Sequence, residues 1–343
     1  MTNGFSIILC CYNSAGRLAA TLDHLSRLEI PVQCGAELLV VDNASTDHTA
    51  TMAVSIWESA GAPFPLKILS EPLPGLSHAR MRGIREAGYE YLLFCDDDNW
   101  LGRDYLTEAL KILQSDPSIG MLGGLGEGVS ETEMPRWRSE FAILGCGKQA
   151  PENGEAQVLY GAGVILRKSS FDKLLHTGYR FMLTDRKKKL LSSGGDYELC
   201  YAIRLAGYKL WYDDKLSFRH YLSGERFSED YVIRFVKESS EALNILGTYR
   251  YFLHNRKPQI LPFYFHLLHD MLHHSKRLFI YYFKYKRADH TDTRSIAMRF
   301  KYTFHRCRLF FLLKFLFSAG TVYKKISHLN DRLNHLRPEY RKA

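Results

Sequence analysis

Three short apolar runs, each closing on polar or acidic residues, constrain the fold of this chain more than any other feature. Residues 5–11 run apolar into Tyr12-Asn13, residues 37–41 end at Asp42, and residues 91–95 end at Asp96-Asp97-Asp98. Runs of this length without polar alternation are expected of strands buried on both faces. Residues 14–28 follow the first run with Leu18, Leu22 and Leu25 at helical spacing. Residues 44–60, 75–88 and 104–114 read as further helices, and residues 66–69 and 119–125 as further strands. Strands alternating with helices imply a mostly parallel sheet with right-handed crossovers. In such sheets ligands bind beyond the carboxyl ends of the strands. The polar residues of this chain gather at those ends.

Residues 126–195 are less regular. Residues 161–166, 209–212 and 216–220 read as short strands, and a helix is expected from Asp196 to about residue 205. From about residue 229 the chain reads as helical. Charge divides at nearly the same place. Residues 1–230 carry 24 Lys and Arg against 30 Asp and Glu, whereas residues 231–343 carry 22 against 7. The expected organisation is a catalytic domain over residues 1–228 and a basic, aromatic-rich helical region over residues 229–343.

The seven cysteines have no CxxC spacing, and several lie in apolar runs, so they read as reduced thiols. Residues 5–11 are of strand length, not of signal-peptide form. The longest apolar run, residues 309–317, is interrupted by Lys314 and falls far short of the ~20 residues of a membrane-spanning helix. A cytoplasmic location is the expectation from these features.

Four segments carry a resemblance. They are Ser6-Ile7-Ile8-Leu9-Cys10-Cys11-Tyr12-Asn13, Val40-Val41-Asp42-Asn43-Ala44-Ser45-Thr46-Asp47, Phe94-Cys95-Asp96-Asp97-Asp98, and Gly194-Gly195-Asp196-Tyr197-Glu198-Leu199. In this order they resemble the family-2, GT-A-type glycosyltransferases over roughly residues 5–225. The resemblance implies a Rossmann-like mixed α/β sheet flanked by helices. It implies an inverting hexosyl or N-acetylhexosaminyl transferase that moves sugar from a nucleoside-diphosphate donor, commonly UDP-linked, to a hydroxyl. A glycan or lipid-linked acceptor, as in cell-surface polysaccharide synthesis, is the expectation.

The resemblance also distributes roles. Cys11, Tyr12 and Asn13 fall where the donor nucleotide lies, and an aromatic such as Tyr12 can stack on a base. Asp42 is placed to accept a hydrogen bond from base or ribose. Arg80, in Ala79-Arg80-Met81-Arg82, is expected against the nucleotide, although Met81 departs from the usual Asn and Arg82 is the alternative. Asp96 and Asp97 are expected on the donor, and Asp98 on a divalent metal. Adjacent carboxylates repel unless a cation sits among them, and hard oxygen donors suit Mn2+ or Mg2+. His220 is expected to complete the metal shell. Gly161, Ala162 and Gly163 resemble the small-residue segment that lines the donor sugar. Trp137, with Arg136 and Arg138, is an expected lining of the acceptor cleft. Asp196 is the expected general base, with Gly195 standing where the motif has its first acid. Glu198 is the alternative acid near the sugar and acceptor. Each position also has a plain structural reading: Tyr12 as a turn residue, Ser45, Thr46 and Asp47 as helix caps, Asp196 as an N-cap.

Residues 231–343 hold 22 of the 41 Phe and Tyr residues and nine of the 14 His. Large apolar residues interleaved with Lys and Arg suit helices lying at an anionic membrane surface, here the inner face. A helical subdomain packed on its neighbours is the structural alternative. Nucleic acid is disfavoured, because the chain carries no recognisable nucleic-acid motif. Two other functions compete with sugar transfer. A non-catalytic nucleotide-sugar-binding or scaffold protein is kept open by Gly195. A nucleotidyltransferase needs a Gly-rich basic loop after the first strand, which residues 11–17 do not supply.

Overall fold

The computed structural model describes residues 2–135, 137, 145–185, 191–287 and 293–336. The chain divides into two compact units. The first comprises Met1–Val129, Ile143–His176 and Ala206–Leu222; the second comprises Ser130–Ala142, Thr177–Leu205 and Ser223–Ala343. The second unit thus takes in residues 130–142 and 177–205 as well as the expected helical region.

The first unit begins β1 (Thr2–Cys11), α1 (Leu18–Ser26), β2 (Gly35–Asp42), α2 (Thr49–Ser59), β3 (Leu66–Ser70), α3 (Leu76–Glu86) and β4 (Tyr89–Asp96). It continues β5 (Asn99–Leu101), α4 (Tyr105–Ser115), β6 (Ile119–Val129), β7 (Gly154–Ala156), β8 (Ile165–Arg167), α5 (Lys168–His176) and β9 (Lys209–Tyr221). One mixed sheet holds all of these strands in the order β3-β2-β1-β4-β8-β6-β9-β5, with β7 pairing beside β9. The first four strands are parallel. β8 runs antiparallel between β4 and β6.

Burial explains the central strands. Ile7, Ile8 and Leu9 are fully buried, as are Leu38 to Val41 and Leu92 to Leu93. Each such side chain contributes roughly 1.5–3 kcal/mol relative to exposure. α1 closes one face through Leu18, Leu22 and Leu25. α3 lies so close to β1 that a Cβ on Gly83 would press into the Ile8 side chain. A Gly83→Ala change overpacks that contact, at a cost of about 1–3 kcal/mol.

Three expectations need correction. The first helix starts at Leu18, not Ser14. The Ser14 amide donates to Thr49 Oγ1 at 2.8 Å and its hydroxyl to Asp97, so tertiary bonds hold it outside the helix. Residues 161–164 are a turn, and only Ile165–Arg167 is strand, because Gly163 takes φ +67°, the left-handed region. The two expected late strands are one, β9, whose pairing with β6 shifts register between Gly123 and Leu125.

The second unit contains α6 (Gly195–Leu205), α7 (Glu229–Ser239), α8 (Ala242–His254), α9 (Ile260–Arg287), α10 (Thr293–Phe315) and α11 (Ala319–Leu336). Its core is aromatic. Phe263 lies 5.2 Å from both Tyr251 and Tyr323, and Phe252 lies 5.0 Å from Tyr323. Such tilted and edge-on ring pairs add about 0.5–1.5 kcal/mol each beyond their burial. Buried Arg308 donates to the Ser240 carbonyl at 3.1 Å and to Asn244 Oδ1 at 2.9 Å. Among the described residues, no helix is long and apolar enough to cross a membrane. α9 nevertheless exposes Leu261, Phe265, Leu272 and Phe279 to 63–66%.

Candidate active site

Strand register assembles the site in the first unit. Cys11 of β1 pairs with Asp42 of β2, and Cys10 pairs with Asp96 of β4. The ends of three neighbouring strands therefore stop level with one another. β4 ends at Asp96, a two-residue turn at Asp97-Asp98 follows, and β5 begins at Asn99. The three adjacent carboxylates consequently face three different surroundings.

Asp96 keeps 31% of its side chain exposed, and its Oδ1 lies 4.0 Å from Arg80 Nη2. Arg80 is buried, with its guanidinium 5.3 Å from the Phe94 ring centre. Arg82 instead pairs with Glu86 on its own helix at 3.4 Å. Of the two, Arg80 of α3 is thus the arginine that lies beside Asp96 at the end of β4.

Asp97 is turned inward. Its carboxylate accepts from the Ser14 hydroxyl and lies 2.7 Å from Arg17 Nη2, and its carbonyl accepts from Thr21 Oγ1 at 2.9 Å. Burial pushes its pKa up, against the lowering effect of Arg17. Asp97 ties the β1–α1 loop to the end of β4. A direct donor contact, the expectation from its place in the triplet, does not fit this orientation.

Asp98 is buried, and its Oδ1 lies 3.4 Å from His220 Nε2 and 3.2 Å from Asn99 Nδ2. On the other side of the ring, His220 Nδ1 is 3.5 Å from Cys146 Sγ and 3.4 Å from the Gly145 carbonyl. Burial alone lowers the His220 pKa, but Asp98 and Cys146 outweigh it and raise it to about 10. The raised value favours a proton on this ring beside the Asp98 carboxylate, and a metal held at Asp98 and His220 would displace that proton.

Tyr12 is 48% exposed beyond the β1 end. Asn13 adopts φ +49° and its Oδ1 accepts from the Thr46 amide at 2.8 Å, while its own amide donates to Ser45 Oγ at 3.0 Å. Its side chain therefore joins the loops after β1 and β2. Cys11 is buried, so only its backbone is at the strand end. Asp42 Oδ1 accepts from the Ser45 amide at 3.1 Å. Ala162 is buried, and the Gly163 carbonyl accepts from Tyr105 Oη at 2.5 Å. The small-residue segment 161–163 is fixed by α4.

Asn43 stands in the second motif, but motif reasoning gave it no role. It is buried, donates to the Glu71 and Leu73 carbonyls at 3.0 and 2.7 Å, and accepts from the Gly75 amide at 2.7 Å. It anchors the loop that leads into α3 and hence to Arg80. A polar residue directly after a buried strand was the available signal, but its partners are not readable from spacing.

The remaining expected residues belong to the second unit. Asp196 lies in the first turn of α6. Glu198, two residues on, has no exposure. Its carboxylate accepts from the Met182 and Leu183 amides at 2.9 and 2.8 Å and from Tyr249 Oη at 3.3 Å. Burial raises its pKa to about 7. Glu198 is therefore a packing carboxylate and does not suit an acceptor contact. Trp137 is buried with its ring 5.1 Å from Phe300, which gives it a core role in place of the expected cleft lining. Arg136 and Arg138 lie outside the described residues.

The donor set of the first unit fits a divalent metal in one specific way. Asp96 and Asp98 offer carboxylate oxygen, the donor type that suits Mn2+ or Mg2+, and the His220 ring lies 3.4 Å from Asp98. Among the described residues, no three His, Cys, Asp or Glu side chains converge as a ready-made cage. An ion that takes most of its ligands from substrate phosphates and water needs only one or two protein carboxylates.

Comparison with known proteins gives a consistent picture. Residues 6–175 match the family model for glycosyl transferase family 2. The poly-beta-1,6-N-acetyl-D-glucosamine synthase of Staphylococcus aureus (strain MSSA476) is 23% identical over 225 residues, 61% of this chain and 48% of that protein. The enzyme of the same name from Staphylococcus epidermidis is 27% identical over 142 residues, 41% of this chain and 31% of that protein. The chain thus matches between about a third and a half of the length of these curated relatives. Among solved structures, the mannosyltransferase PcManGT from Pyrobaculum calidifontis, in complex with GDP-Man and Mn2+, superposes with TM-score 0.53 at 16% identity. That match covers 99% of this chain and 88% of the other. S. aureus TarS 1-349, in complex with UDP-GlcNAc, gives TM-score 0.50 at 17% identity, covering 89% of this chain and 90% of the other. These likenesses show a shared fold, which in this chain comprises, among the described residues, a nine-stranded mixed sheet flanked by helices and a helical C-terminal region.

Proposed function

From the match of residues 6–175 to the glycosyl transferase family 2 model, we propose that the chain is a metal-dependent, inverting transferase of a hexosyl or N-acetylhexosaminyl group. The donor is a nucleoside-diphosphate sugar, with UDP-N-acetylglucosamine the first to test, given the names of its relatives. The acceptor is a hydroxyl of a glycan or a lipid-linked saccharide in cell-surface polysaccharide synthesis. The observation that carries this reading is the buried Asp98–His220 pair, 3.4 Å apart, beside the aligned ends of β1, β2 and β4.

Each residue has a task. Tyr12 offers an exposed ring for base stacking, and Asp42 accepts from the base or ribose. Asp96, held beside Arg80, receives the ribose and diphosphate side of the donor. Asp98 and His220 are the residues that would hold Mn2+ or Mg2+, which supplies neutralisation of charge on the departing diphosphate. The turn at Gly161, Ala162 and Gly163 presents backbone, without bulk, to the sugar. Asp196 acts as general base, taking the proton of the acceptor hydroxyl as it attacks the anomeric carbon. Single displacement from the face opposite the diphosphate inverts configuration.

The region 231–343 is proposed to attach the enzyme to an anionic inner-membrane surface. The exposed Leu261, Phe265, Leu272 and Phe279 of α9 support this, together with Lys276, Arg277, Lys284, Lys286 and Arg287 on the same helix. A peripheral cytoplasmic location follows from that attachment.

A thermal-shift panel of UDP, GDP and dTDP sugars with and without Mn2+ tests the donor reading. Stabilisation by one donor class that requires the metal is the expected result, followed by release of nucleotide on turnover. Binding without any turnover supports the alternative, a nucleotide-sugar-binding scaffold. No binding at all removes both.

A further inference from the structure

Asp185 and Gly195 form a contact that no motif describes. Asp185 is only 4% exposed, and both of its carboxylate oxygens accept from the Gly195 amide, at 3.0 and 2.9 Å. Gly195 opens α6, so this amide is one of the helix donors that has no partner within the helix. A carboxylate there also meets the positive end of the helix dipole. The contact leaves no room for a side chain. A Cβ on Gly195 would lie 2.6 Å from Asp185 Oδ2 and 3.1 Å from Cγ. The Asp185 carboxylate occupies the space that residue 195 would otherwise fill.

A second bond runs the opposite way. Glu198, one turn into α6, accepts from the Met182 and Leu183 amides. Segment 182–185 and the first turn of α6 therefore grip each other reciprocally, as a capping box does within one helix but here between two segments. Asp196 stands between the two grips, directly after Gly195 and two residues before Glu198.

We propose that Asp185 is a positioning residue for Asp196. Its carboxylate fixes the Gly195 amide and so sets the direction in which the next side chain leaves the helix. The inference rests on the reading of Asp196 as general base. Asp185 itself touches no reacting atom. Its loss acts on turnover and not on donor capture, because misplacement of a catalytic group by a fraction of an ångström lowers the chemical rate.

The test uses the full chain and follows UDP release from UDP-N-acetylglucosamine with Mn2+, water serving as acceptor. Asp185→Asn and Gly195→Ala are each expected to lower kcat about tenfold or more, with KM for the donor and the Mn2+-dependent affinity for UDP within about twofold. Asp185→Ser makes room at residue 195. Gly195→Ala should therefore cost nothing further in the Asp185→Ser background, a non-additivity that a general loss of stability does not produce. Wild-type kcat in Asp185→Asn overturns the proposal. So does a parallel fall in kcat and UDP affinity, or an equal Gly195→Ala penalty in both backgrounds. Where an Asp185 variant does not fold, Gly195→Ala alone still decides through the kcat-against-KM split. Asp196→Asn is assayed alongside. If it keeps turnover, the base assignment itself fails and this inference with it. If it is inactive while Asp185→Asn is fully active, only the inference drawn here fails.

Discussion

Asp98 Oδ1 and His220 Nε2 stand 3.4 Å apart because Asn99 of β5 and His220 of β9 are partners in an antiparallel ladder. The ladder brings a strand-end carboxylate and a late imidazole together as a buried pair within the first unit. The Tyr221 amide, which donates to the Asp98 carbonyl at 2.9 Å, fixes the same alignment.

Replacing Asp98 by Ala should therefore abolish metal-dependent catalysis. The expected loss in kcat is about 10²–10³-fold, the scale for removing one electrostatic partner of a developing negative charge. Calorimetric titration with UDP should lose its Mn2+ dependence at the same time. Retained Mn2+-dependent UDP binding in Asp98→Ala contradicts the assignment of this residue to the metal.

Asn43 offers a test of how the site is braced. Asn43→Ala removes three hydrogen bonds to Glu71, Leu73 and Gly75 and leaves a buried amide without its partner. A loss of about 2–3 kcal/mol is expected in urea unfolding. Donor affinity should fall too, since the loop leads into the helix that carries Arg80. A change under about 0.5 kcal/mol, ordinary for a surface substitution, is the contrary result.

Glu198 makes stability depend on pH. Burial raises its pKa from the ordinary 4.5 to about 7. Between those values the folded chain keeps a proton that the unfolded chain has released. The favourable contribution is fully present below the unfolded value and is lost as pH rises through about 7. Its size is on the order of 3 kcal/mol at most. Glu198→Gln removes the titration, so the melting temperature of the variant should gain on wild type between about pH 5 and pH 8. Parallel curves for the two proteins would show that Glu198 does not titrate in this range.

Vesicle flotation examines α9. The chain is expected to float with vesicles rich in phosphatidylglycerol and to release as salt rises, because each basic residue near such a surface contributes about 1 kcal/mol. Phe265→Glu with Leu272→Glu should abolish flotation while leaving UDP binding intact, because both side chains are exposed. Equal binding to neutral and anionic vesicles, or none to either, removes the membrane proposal.

Much of the fold was legible in the sequence because its signals are local. Residues 5–11, 37–41 and 91–95 lack polar alternation, and they became central strands with no exposure at Ile7, Leu39 or Leu93. Less was legible where tertiary bonds override local preference. Ser14 reads as the start of a helix, yet its amide and hydroxyl belong to Thr49 and Asp97. Residues 161–164 read as strand, yet Gly163 turns the chain. Glu198 and Trp137 read as site residues and proved to be buried in packing.

The sequence by itself determined the kinds of chemical group and the strand ends that carry them: Tyr12, Asp42 and the acidic triplet after Cys95 follow from apolar runs that stop. Only the tertiary structure decided what each group does there. It turned Asp97 inward to Arg17, left Asp96 beside Arg80, and gave Asp98 a histidine from far along the chain. The physical reason is that burial patterns are written in neighbouring residues, whereas the direction of a carboxylate is set by strand register and by partners that folding alone brings near.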